Sequence, residues 1–65
     1  MSLRYYILRD ASGSILAMHT ERMFVENHFF QMLTPGLAIW VLSVNQETGL
    51  TETYTLLLTY EPTGQ

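Results

Sequence analysis

The clearest pattern of apolar and polar positions runs from Gly36 to Tyr60. Leu37–Leu42 is an unbroken apolar run, Asn45–Gly49 is polar and ends in glycine, and Leu50–Tyr60 alternates with period two. Successive side chains of a strand point to opposite faces, so this pattern predicts a β-hairpin. Leu50, Tyr54, Leu56, Leu58 and Tyr60 are expected on one face of its second strand, with Thr51, Thr53, Thr55, Thr59 and Glu61 on the other. Glu52 and Leu57 break the alternation, one on each face.

An earlier hairpin is predicted from Leu3 to His19. Leu3–Leu8 has the aromatic and branched composition of a strand, and Ser14–Met18 reads as its return. Between them Asp10-Ala11-Ser12-Gly13 has an acceptor side chain first and glycine last, the composition of a turn. From Thr20 to Leu33 a helix is favoured over two short strands, Met23–Val25 and His28–Phe30. The intervening Glu26-Asn27 lacks the glycine that two-residue hairpin turns prefer. Thr20 is the expected N-cap. Val25, Phe29, Met32 and Leu33 form the expected apolar stripe, with Phe30 flanking it, and Thr34-Pro35-Gly36 ends the helix.

The fold class predicted is α+β, an antiparallel four-stranded sheet of two hairpins with one helix packed on one face, in the order β–β–α–β–β. Strands are placed over 3–9, 14–19, 37–44 and 50–60, and the helix over 21–33. Residues 61–65 are expected to fray, and the whole to form one small domain. Strand order does not follow from the pattern. The third strand is apolar on both sides, with Trp40, Leu42 and Val44 opposite Leu37, Ile39 and Val41. One short helix covers one side only. The other side therefore calls for a subunit, a ligand or curvature that closes it.

Composition strengthens that expectation. In a chain of 65 residues 48% are apolar and only 14% charged, against about a quarter charged in an average soluble domain. A chain this short buries only about 60% of the surface it exposes when unfolded. Small scaffolds compensate with disulfides, metals or association. Cysteine is absent, which removes disulfides and thiolate metal sites, and leaves association. Lysine is absent too, so one common protection of exposed sheet edges is missing. The threonine-rich last strand is a candidate for pairing with a further strand. No secretory leader and no apolar run long enough to cross a membrane is seen, so a cytoplasmic, soluble protein with no membrane partner is expected.

Candidate chemistry is sparse. His19, Glu21, Glu26 and His28 are the one concentration of titratable groups. Glu26 and His28 are two apart in a helix and diverge, so no metal site is expected. Asp10, Glu47, Glu52 and Glu61 are scattered over turns and strands, and the threonines suit the polar face of a strand, so neither acid–base nor nucleophilic catalysis is indicated. No glycine-rich phosphate loop is present and no cofactor is expected. The function expected is a non-catalytic protein-interaction or regulatory module acting as a homodimer or larger homo-oligomer. Its candidate interface comprises Trp40, Leu42, Val44, Tyr54, Leu56, Leu58, Phe24 and Met23. The alternative is a nucleic-acid-binding oligomer that stacks bases on sheet aromatics, through Arg4, Tyr6, Arg9, Trp40 and Tyr60. A formal charge of −3 with three arginines weighs against it. An enzyme with its site at a subunit interface comes last.

Overall fold

The computed structural model describes residues 1–62. It is an α+β fold in which β1 (Ser2–Arg9), β2 (Ile15–His19), α1 (Arg22–Met32), β3 (Ala38–Asn45) and β4 (Thr51–Thr59) follow one another. The strands form one sheet in the order β2-β1-β3-β4, with every neighbouring pair antiparallel. The central places go to β1 and β3, whose side chains are apolar on both faces. Short β2 and threonine-rich β4 take the edges. Since β2 and β3 both run antiparallel to β1, they are parallel to each other. Joining them needs a crossover, and α1 is that crossover.

The first turn forms as its composition predicts. Gly13 N–H donates to the Asp10 carbonyl at 2.9 Å, and Asp10 Oδ1 accepts from the Ser12 and Ser14 N–H groups and the Ser12 hydroxyl. The helix over Arg22–Met32 also excludes the two-strand alternative. Its N-cap, however, is Glu21 and not Thr20, and no side chain caps the turn through an oxygen. Instead Glu21 N–H donates to His19 Nδ1 at 2.9 Å, so the imidazole satisfies an amide just outside the first turn. The helix stops at Leu33, which adopts φ 38° and donates its N–H to the Phe29 carbonyl at 3.0 Å.

Leu8, Val25, Phe29, Leu37 and Ile39 form the core between helix and sheet, with Tyr6, Ala17, Leu57, Leu58 and Tyr60 packed around it. The apolar stripe of α1 is narrower than its sequence suggests. Val25 and Phe29 are buried, but Met32 and Leu33 stay partly exposed and Phe30 more so. The helix bears on β1, β2 and β3, and only the side chains directed at Leu8 and Ile39 are fully covered.

β4 departs from a regular ladder twice. Ile39 pairs with Leu58 and Trp40 with Leu56, which leaves Leu57 without a partner. Ser43 pairs with Thr53 and Val44 with Thr51, which leaves Glu52 without one. Each is a β-bulge, where two residues oppose one. A bulge changes which face the following side chains occupy. The single apolar face expected for Leu50, Tyr54, Leu56, Leu58 and Tyr60 is therefore split. Tyr54 and Leu56 pair with Leu42 and Trp40 on the face away from the helix, whereas Leu57, Leu58 and Tyr60 pack on the helix side. The two residues that interrupt the sequence alternation are the two bulged residues.

Candidate interaction surface

The sheet face away from the helix, here the open face, is built by register. β1 contributes Leu3, Tyr5, Ile7 and Arg9, and β3 contributes Ala38, Trp40, Leu42 and Val44. β4 adds Thr51, Tyr54 and Leu56, and β2 adds Met18 opposite Ile7. No described element lies over this face. Ile7 is nonetheless buried, flanked by Met18 and Trp40 in the adjoining strands. Leu3, Tyr5, Trp40, Leu42 and Val44 are half-buried, while Tyr54 is 42% exposed, Leu56 49% and Met18 55%. An apolar sheet face with this exposure is unusual for a lone domain, since contiguous exposed apolar patches mark contact sites.

Aromatic stacking orders its centre. The Trp40 and Tyr54 rings stack with centroids 4.9 Å apart and planes 14° from parallel. The Arg9 guanidinium lies 5.9 Å from the Tyr54 centroid, within the range of cation–π attraction. Arg9 Nη1 donates to the Gly13 carbonyl at 2.7 Å, which holds the side chain against the first hairpin turn, and Arg9 Nε is buried without a partner among the described residues. Arg9, Trp40 and Tyr54, with Asp10, Ala11, Gly13, Gly36 and Ala38, line an open concavity of about 520 Å³.

A carboxylate is kept off this face. Strict alternation would place Glu52 beside Tyr54 and Leu56, but the bulge turns it to the helix side. There its Oε1 accepts from Ser2 Oγ at 2.5 Å and Ser43 Oγ at 3.3 Å, and its Oε2 from Asn45 Nδ2 at 3.3 Å. The Ser2 hydroxyl foremost, then Asn45 and Ser43, hold the Glu52 carboxyl below its ordinary range, against the opposing effect of desolvation. Asp10 is likewise held low, chiefly by the Ser12 hydroxyl. Arg9 is left as the one charged side chain that the register assigns to the open face.

The residues singled out from the sequence separate accordingly. Trp40, Leu42, Val44, Tyr54 and Leu56 come together on the open face. Leu58 does not join them, because the Leu57 bulge carries it into the helix-side packing. Met23 and Phe24 are exposed on α1, where the Phe24 ring meets that of His19 at a 40° tilt with centroids 4.6 Å apart. Of the alternative set, Arg9 and Trp40 share the open face, while Arg4, Tyr6 and Tyr60 lie on the helix side. Tyr5, Leu3 and Met18 enlarge the open face beyond the expected interface residues. The register that puts them beside Trp40 depends on the strand order.

The titratable residues near α1 do not converge. His19 meets the Glu21 backbone, Glu26 accepts from Arg22 Nε at 2.6 Å, and His28 is exposed. Among the described residues no group of three or more His, Cys, Asp or Glu side chains is placed to hold a metal. Among the described residues no helix is long and apolar enough to cross a membrane. Compared with protein-family models, curated proteins and solved structures, the chain matches none.

Proposed function

We propose that the protein is a non-catalytic interaction module that associates with itself through the open sheet face and acts by contacting another macromolecule. The observation that carries this reading is the apolar face around the Trp40–Tyr54 stack, uncovered by the helix and cleared of Glu52 by a bulge. Burial of such a face is favoured by about 25 cal/mol per Å² of apolar surface. The test is light scattering coupled to size exclusion over a dilution series. The expected result is a mass that falls from dimer or higher toward monomer as the protein is diluted. A constant monomer mass up to millimolar concentration would reject self-association.

A second reading is supported by the position of Arg9 over Tyr54 beside Trp40, an arrangement in which a base can stack next to a cation. It expects salt-dependent retention of labelled single-stranded DNA or RNA and quenching of Trp40 fluorescence. Absence of both at low salt would remove it.

A further inference from the structure

Four side chains of this protein accept the backbone N–H two residues further along the chain. Asp10 Oδ1 takes that of Ser12 at 3.0 Å, Asn45 Oδ1 that of Glu47 at 2.9 Å and Thr48 Oγ1 that of Leu50 at 3.3 Å. His19 Nδ1 takes that of Glu21 at 2.9 Å. Aspartate, asparagine and threonine are the ordinary residues for such a turn. Histidine differs from them in one respect, because its acceptor is removed by a proton near neutral pH. Amide and hydroxyl oxygens do not titrate, and the Asp10 carboxyl is held below its ordinary range by the Ser12 hydroxyl and the Ser14 amide.

The His19 bond sits at a junction. His19 is the last residue of β2, and the amide it holds is that of Glu21, the N-cap of α1. Nothing else secures this end of the helix through a side chain, since no cap oxygen is present and the first turn contains no acidic residue. An imidazole that accepts at Nδ1 carries its single proton on Nε2, and a second proton puts a donor against the Glu21 donor. The contact between the His19 and Phe24 rings makes no such demand, because an aromatic ring receives a cation as well as a neutral group. The proton dependence is therefore concentrated in the bond to Glu21.

Other titratable groups around His19 lie on β1 and α1. Tyr6 is directly opposite it on β1, with Arg4 two residues before on the same face. α1 contributes Arg22, Glu26 and His28, preceded by Glu21. Arg22 and Glu26 pair with each other at 2.6 Å, so their charges largely offset. A cation at the start of a helix is opposed by the helix dipole, and the Glu21 carboxylate acts in the other direction. β2 and β3 carry no other ionisable side chain.

We infer that His19 is a pH-operated latch between β2 and α1: neutral, it closes the turn onto the Glu21 amide, and protonated, it releases that amide and loosens the start of the helix. The contribution of the bond is complete above the ordinary imidazole range, about pH 6.5, and is lost as pH falls through it. Asp10 and Glu52, both held low, titrate well below that window, so the latch is the first of these contacts to open. The inference stands apart from self-association, since His19 and α1 lie across the sheet from the open face.

Nuclear magnetic resonance of the whole chain between about pH 7.5 and pH 5.5 tests it in the range where imidazole titrates. Long-range proton–nitrogen spectra are expected to show His19 Nδ1 unprotonated at the upper pH. Exchange of the Glu21 amide, relative to its intrinsic rate, is expected to rise about three- to ten-fold at the lower pH, as for loss of one hydrogen bond. The Ser12 and Glu47 amides, held by Asp10 and Asn45, serve as internal references and are expected to stay constant. His19→Asn keeps an acceptor that does not titrate, and is expected to abolish the response at Glu21. His28→Asn is expected to leave it intact. A proton on Nδ1 at the upper pH would overturn the latch, as would a Glu21 amide indifferent to pH in the wild type. Persistence of the response in His19→Asn, or its loss in His28→Asn, would overturn it equally.

Discussion

Single residues set the limits of this fold at a few positions. Gly36 has φ +85°, and a Cβ added there would stand 2.6 Å from the Ala11 Cβ. Gly13, at φ +90°, has open space around the same position. Gly13→Ala therefore adds conformational strain alone, of about 1 kcal/mol, whereas Gly36→Ala adds a steric collision as well. Urea denaturation is expected to rank Gly36→Ala as clearly the more damaging. Leu33 shows the converse, a branched side chain held at φ 38° where glycine is preferred. Because Leu33 is 40% exposed, Leu33→Gly is expected to raise stability by several tenths to about 1 kcal/mol. Leu8→Ala removes a fully buried side chain, and is expected to cost about 2–5 kcal/mol. Glu52 gives the chain an acid dependence. Its folded carboxyl is depressed below the ordinary 4.5, so on acidification the unfolded chain takes up the proton first. The associated stability is complete above about pH 4.5 and is lost as pH falls through the depressed folded value. Urea midpoints between pH 7 and pH 3 are expected to decline less steeply in Glu52→Gln, with the part due to Asp10 remaining.

Among elements, β4 best separates what the sequence discloses from what it conceals. Its alternation is plain, and so are the two exceptions at Glu52 and Leu57. An exception to a period-two pattern has two physical meanings, a misplaced side chain on a regular strand or an extra residue in the strand. Only the partner strand decides between them, because a bulge is a relation between two strands. The face assignment of Leu58 and Tyr60 consequently could not be read from β4 alone, while that of Tyr54 and Leu56 could. The helix poses a similar problem at its start. Thr20 satisfies the composition of an N-cap, but the backbone turns helical only at Arg22, so Glu21 holds the cap position, and the His19 imidazole takes the Glu21 N–H. The long apolar run of β3 was legible as a strand apolar on both sides. Its central place beside β1 was not, since sequence periodicity carries no information about neighbours. Glu21→Ser would supply the missing cap oxygen, and thermal unfolding is expected to show a gain of about 0.5–1 kcal/mol.

For the whole molecule, the helix-side core holds the sheet together, and no described element covers the open face. The first side is specified by Leu8, Val25, Phe29, Leu37 and Ile39, all nearly inaccessible. The second is specified by exclusion of a carboxylate, which the Glu52 bulge accomplishes. Those bulges have a consequence for the exposed edge of the sheet. Cross-β fibrils grow from straight segments of about six or seven residues rich in β-formers and poor in charge, and Leu50–Tyr60 has that composition without a lysine to interrupt it. Between the unpartnered Glu52 and Leu57 only Thr53–Leu56 runs in regular register, too short to template a growing stack. With Glu52 its one charged residue, this strand thus resists fibril growth chiefly by geometry, and deletion of Leu57 is expected to join Thr53–Thr59 into one regular run long enough to seed a fibril.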